Sequence, residues 1–226
     1  MAIIHHTTMS PGKLELLTAW LPAQPWYLPT GREPELVKAG GFRLDDPEGE
    51  VGIEFMVVTD GSGDRVTAYH VPMTYRGREF APASGGLIGT SEHGVLGRRW
   101  IYDGTHDPVL VAQLAALVQG AAEPQAQSLS GTPDPTVTGG RPVADGAPLI
   151  AGAAVSVSDA AGTDLRVETA RADGAPAGQL TVRINRVLTP ADSDAEPPCV
   201  LAGWRLPDGT KVCGVLAAAR YATRTA

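Results

Sequence analysis

Two cysteines in 226 residues are too few to staple a secreted fold, so the reducing cytoplasm is the expected setting. No apolar run is long enough to cross a bilayer. A secretory leader is not expected either, because Ala2 to Thr8 mixes apolar residues with histidine and threonine. Basic clusters are missing as well, and the net charge is -7, which argues against non-specific binding to nucleic acid or to an anionic membrane surface. Lysine is scarce beside abundant alanine, glycine and proline, a pattern of high-GC genomes that says nothing of function. What is present is the composition of a soluble globular chain, 43% hydrophobic and 19% charged, long enough for one large domain or two small ones.

The stretch that organises the first half is Arg98 to Gly120, a strand that turns into a capped helix. Trp100 and Tyr102 alternate with Arg99 and Ile101. Asp107 is a good N-cap and Pro108 suits the first helical position; Leu110, Val111, Leu114, Leu117 and Val118 then form one apolar stripe. Upstream, residues 2–8 read as a short strand. Ser10-Pro11 signals a helix bearing Leu14, Leu17 and Leu21 that stops near Pro22. Strands are expected at about 36–45, 51–59 and 65–76, the last demoted to an edge or a bulge by Pro72. Residues 81–97 read as glycine-rich loop. Residues 121–148, with Pro124, Pro133, Pro135, Pro142 and Pro148 and few large apolar side chains, read as a linker.

Beyond the linker the pattern is β throughout: Val155/Val157, Leu165/Val167 and Leu180/Val182/Ile184 alternate with polar neighbours. A hairpin is expected at Pro207-Asp208-Gly209. If Asp208-Gly209 is a two-residue loop, Cys213 faces Trp204 and Cys199 lies on the other side of the ribbon, so two free thiols are expected. The organisation is thus an α+β domain over 1–120, a linker over 121–148 and an antiparallel β module over 149–226. A module with few aromatics and bare edges should pack on the first domain, leaning on the sheet of Trp100 and Tyr102 with Trp204 in or beside the contact.

Reactive constellations are few. His5 and His6 point to opposite faces of a strand, and neither His70, His93 nor His106 has a partner at ligand spacing, so no metal is expected. Ser91-Glu92-His93 lacks a nucleophile-elbow context, and Ser84 to Thr90 lacks the lysine of a phosphate-binding loop. Asp103 and Asp107 could pair, but Asp107 has a cap to make. Trp26, Tyr27 and Trp100 could stack on a flat ligand, although aromatics beside loops are more often core.

Three segments nevertheless carry a resemblance: Trp20-Leu21-Pro22-Ala23-Gln24-Pro25-Trp26-Tyr27 with Gly31-Arg32, Tyr69 to Arg76, and Trp100 to Gly104 with His106-Asp107-Pro108. In order and spacing they resemble the N-terminal cap domain of actinobacterial maltokinases, over about residues 1–120. The resemblance implies a helix on a curved, cystatin-like antiparallel sheet. Two departures stand out: Pro25 occupies an arginine position of the family pattern, and Leu28-Pro29-Thr30 replaces an Ala-Gly-Lys run. The kinase lobe that follows such caps has no counterpart in this sequence, which lacks its His-x-Asp loop and its metal-binding aspartate motif. Leu180 to Ile184 weakly resembles a nucleotide-lobe strand with Arg183 in the lysine's place, and no role is assigned to Arg183.

The expected function is therefore a non-catalytic, cap-like binding or regulatory protein. Its partner would be a sugar kinase or an enzyme of α-glucan or trehalose metabolism. The alternatives are the cap subunit of a split or diverged sugar phosphotransferase, and a stand-alone small-molecule binder. No cofactor is expected. The candidate ligand or partner surface is Trp26, Tyr27, Arg32, Trp100, Tyr102 and Trp204.

Overall fold

The computed structural model describes residues 7–140, 149–150, 154–170, 174, 176–191 and 198–223; the strand expected at 2–8 lies almost wholly outside them. The first half contains β1 (Met9–Ser10), α1 (Lys13–Trp20), β2 (Leu36–Leu44), β3 (Gly52–Asp60), β4 (Thr67–Arg76), β5 (Leu87–His93), β6 (Gly97–Asp103), α2 (Pro108–Val118) and β7 (Gln125–Ala126). The second contains β8 (Leu149–Ile150), β9 (Val155–Asp159), β10 (Gly162–Ala170), β11 (Pro176–Ile184), β12 (Val187–Leu188), β13 (Cys199–Arg205) and β14 (Lys211–Thr223). All strand pairs are antiparallel and join one open sheet in the order β1-β5-β6-β4-β3-β2-β13-β14-β11-β10-β8, so the class is α+β. No helix of the described residues is long and apolar enough to cross a membrane.

The sheet is buried on both faces where β3 runs through it. Ile53, Phe55 and Val57 point to the side covered by α2, where Leu110, Leu114 and Leu117 meet them. Met56 and Val58, one residue out of phase, point to the side covered by α1 through Leu17 and Leu21. The near-continuous apolar run Phe55-Met56-Val57-Val58 is what a strand covered on both faces requires. Each fully buried leucine contributes on the order of 1.5–3 kcal/mol.

Asp107 caps α2 as its position suggests, accepting the Val109 N–H at 3.0 Å, with Pro108 at the first helical position. The start of α1 differs from expectation. Ser10 belongs to β1, opposite Glu92, and the N-cap is Gly12, whose N–H donates to the Glu15 carboxylate at 3.2 Å. Nor is β4 an edge. β3 pairs with it along its whole length, while its other side is shared by β12 at Ala68–Tyr69 and β6 at Met73–Arg76. Pro72 falls between those two partners, so its missing N–H interrupts no ladder. The segment read as loop over 81–97 contains β5, which pairs with β6 through a bulge at Leu87/Gly89.

As expected, the C-terminal strands pack on the sheet that carries Trp100 and Tyr102 with Trp204 at the contact, but they join it edge to edge at β2. Trp204 of β13 pairs with Gly40 of β2, and β12 crosses to β4. Gly40 is required there: a Cβ would stand 2.9 Å from the Gly203 carbonyl oxygen and 3.1 Å from Trp204 Cα. In the β13–β14 hairpin, Leu206 and Thr210 close a loop of Pro207, Asp208 and Gly209, so Cys213 faces Gly203 and Trp204 faces Val212. A bulge at Val200/Leu201 then restores the offset expected farther along. Within the stretch read as linker, β7 pairs with β2 and Thr138 bridges Leu201; residues 141–148 lie outside the described residues.

Candidate functional site

A cleft of about 520 Å³ opens on the α1 side of the sheet, between the start of α1, the β5–β6 turn and the 46–51 loop. Alternation along the strands places Arg43, Glu54, Tyr75 and Arg99 on this one face, from β2, β3, β4 and β6 respectively. Arg43 stands directly across the ladder from Glu54, and Tyr75 across from Gly52. Lys13 reaches in from the first turn of α1 and Gln127 from the segment after β7.

Glu54 is the hub of this cleft and is only 3% exposed. Lys13 Nζ lies 2.6 Å from Oε2, the Tyr75 hydroxyl donates to the same oxygen, and Gln127 Nε2 donates to Oε1 at 2.8 Å. Burial opposes the carboxylate's charge, but the Lys13 ammonium and the donated hydrogen bonds outweigh it, holding the pKa below the ordinary glutamate value. Burial, and then the adjacent carboxylate, push the Tyr75 phenol well above its usual value, so Tyr75 stays a donor. The Lys13 ammonium also lies 5.1 Å from the Tyr75 ring centre.

The two arginines are held differently. Arg43 donates from Nε to the Ala126 carbonyl and from Nη2 to the Leu129 carbonyl, each at 3.2 Å. Arg99 donates from Nη2 to the Leu96 carbonyl at 2.8 Å, and its buried Nε has no partner among the described residues. Neither forms an ion pair among the described residues, in contrast to Lys13 with Glu54.

A second charged cluster is internal. Arg186 is wholly buried, with Nη2 at 2.5 Å from Asp103 and 3.2 Å from Thr105 Oγ1, Nε at 2.9 Å from Thr163 Oγ1, and its guanidinium 5.0 Å from the Trp26 ring centre. It ties β10 and the β11–β12 turn to the end of β6. His70 nearby is 1% exposed; burial first, and the Arg186 charge second, bring its pKa down to about 3. Asp103 and Asp107 thus serve different cations: Asp107 also receives a two-pronged contact from Arg76 at 2.7 and 2.8 Å.

The residues marked from sequence do not assemble into one surface. Trp26, Tyr27, Tyr102 and Trp204 are buried, Arg32 is exposed and Trp100 is half-buried. Trp26 and Tyr27 pack on Tyr69, the Tyr27 hydroxyl donates to Asp60 at 3.2 Å, and the Tyr102 hydroxyl accepts the Phe80 N–H at 2.8 Å. Ser91 donates to the Pro11 carbonyl and Glu92 pairs with Arg98, so both are engaged away from His93, whose Nδ1 accepts the Val95 and Leu96 N–H groups. The glycine-rich stretch serves packing: a Cβ on Gly86 would lie 2.6 Å from the His106 ring. Arg183 pairs with Asp159 and Asp164. Neither cysteine is in a disulfide, and the described residues contain no group of three or more metal-ligating side chains. The Glu54 cleft had no sequence signature, since Lys13, Tyr75 and Gln127 reach it from separate parts of the chain.

Residues 20–107 match the family of the maltokinase N-terminal cap domain, so the match begins at Trp20 and ends at the N-cap of α2. No curated protein matches the chain.

Proposed function

We propose that the protein is a non-catalytic cap-like partner of a sugar kinase, acting in α-glucan or trehalose metabolism. The observation that carries this reading is the cap-domain match over residues 20–107. The organisation as an α+β domain over 1–120, a connecting stretch and a β module over 149–226 belongs to the same proposal. So do a cystatin-like arrangement of α1 on its sheet and a cytoplasmic, actinobacterial setting. Arg32 and Trp100, the two marked residues that reach the surface, are the proposed contacts with the partner.

The test is to mix the purified full chain with a maltokinase lacking its own cap and to follow the mixture by size-exclusion chromatography and by ADP release. Co-elution, with maltose-dependent turnover altered only when both chains are present, is the expected result. Absence of a complex at about 100 μM of each chain overturns the proposal. Maltose- or glucosamine-dependent ADP release by the chain alone, surviving repurification, would favour the diverged phosphotransferase instead.

A further inference from the structure

We propose that His93 is a proton-operated latch on the tip of the β5–β6 hairpin, holding this wall of the Glu54 cleft in place when neutral and releasing it when protonated. This does not depend on the association with a kinase. The tip is Gly94-Val95-Leu96, and His93, Leu96 and Arg99 all line the cleft. Both ends of the tip are anchored: His93 pairs with Gly97, and the Gly94 N–H donates to the Thr8 carbonyl at 3.1 Å. Between them the backbone is gripped by two side chains. His93 Nδ1 accepts the N–H groups of Val95 at 3.2 Å and Leu96 at 3.1 Å, and Arg99 Nη2 donates to the Leu96 carbonyl at 2.8 Å. Val95 and Leu96 are themselves exposed, so little apolar burial holds the tip.

The charged ring cannot make this grip. A ring nitrogen that accepts carries no hydrogen, so neutral His93 bears its hydrogen on Nε2. Protonation uses the Nδ1 lone pair and sets three N–H donors against one another. Turning the ring over brings a C–H to the same place, so the imidazolium has to swing out. The neighbouring charges act in the same direction. Arg99 lies two residues along β6 from Gly97, the ladder partner of His93, so it shares the His93 face and repels a second cation there. Glu92 points to the other face and is paired with Arg98. Of the remaining charges lining the cleft, Glu54 is engaged by Lys13, Tyr75 and Gln127, Asp46 by backbone N–H groups, and Arg43 by carbonyls, while Glu50 is exposed on the 46–51 loop. The grip is therefore present above the His93 pKa and is lost as the pH falls through it, in the range of about pH 8 to pH 5 where imidazoles change charge.

The experiment follows the full chain by heteronuclear NMR across that range. At its upper end the His93 ring should carry its hydrogen on Nε2 and none on Nδ1. The Val95 and Leu96 amides should then shift with the same midpoint as the ring, while the amides of β3 stay still. Protection of those two amides from exchange, corrected for the intrinsic rate at each pH, should fall by about threefold to tenfold. His93→Ala should show the released tip at every pH. His93→Asn should hold the tip at every pH, because its side-chain carbonyl accepts N–H groups two and three positions on and does not titrate. Should a variant fail to fold, the ring and amide midpoints of the unchanged protein still decide. A hydrogen on Nδ1 of the neutral ring, Val95 and Leu96 amides that do not follow it, or a His93→Asn protein whose tip still titrates overturns the assignment.

Discussion

Trp204 and Gly40 face each other across the seam where the C-terminal strands join the N-terminal sheet. The tryptophan backbone comes so close that the opposite residue can have no side chain. Gly40→Val should therefore force β13 away from β2 and destabilise the protein by about 1–3 kcal/mol, the usual cost of overpacking. Denaturant unfolding followed by tryptophan fluorescence measures it. A change within about 0.5 kcal/mol would mean that the seam yields freely.

The Arg186–Asp103 pair spans the same two halves from inside. Arg186→Met leaves the Asp103 carboxylate buried without its cation and should cost about 3–5 kcal/mol. Adding Asp103→Asn should cost less than the sum of the two single changes, because neither charge is then left alone. Additive losses in a double-mutant cycle would show that the two groups do not act as a pair.

His70 makes stability sensitive to acid. Its folded pKa of about 3 lies below the ordinary histidine value, so between those limits the unfolded chain holds the extra proton. Stability is complete above about pH 6.5 and falls as the pH drops, with a slope approaching 1.4 kcal/mol per pH unit. The buried carboxylates Glu54 and Asp60, also lowered, add to the loss only nearer the carboxylate range. His70→Gln should flatten the stability profile between about pH 6 and pH 5, where carboxylates scarcely titrate. An unchanged slope there refutes the assignment.

The thiols should differ in reactivity. Cys199 is buried, and burial raises its pKa; Cys213 is half-buried on β14, its Sγ 3.4 Å from the Ala191 carbonyl. One thiol per chain should react promptly with a disulfide reagent under native conditions, and the second only in denaturant. Intact mass should show both reduced beforehand.

Local signals survive the passage from sequence to structure best. Asp107-Pro108 marks a helix start because cap and proline act within one turn. The strand expected at 51–59 is β3, Gly52–Asp60, because a run of β-branched and aromatic residues is itself a local signal. Ser10-Pro11 misleads because Ser10 is taken into β1, leaving the cap to Gly12. Pro72 misleads because a strand may have two partners on one side with a gap between them. The facing of Cys213 shifts by one position because the hairpin loop holds three residues and not two. The Glu54 hub stays hidden for a different reason: its partners lie 41, 21 and 73 positions away, and no local pattern couples them.

Since β3 is a wall with a core on either side, the stretch that matches the cap family is not a portable piece. Cutting the chain to residues 20–107 would remove α2 and every later strand. Phe42, Phe55 and Val57 would then lose much of what packs against them. Any rearrangement that transplants this stretch must bring a new cover for that side, and the same demand applies to a designer seeking a minimal version. The smallest heritable unit of this protein is thus larger than its recognisable one.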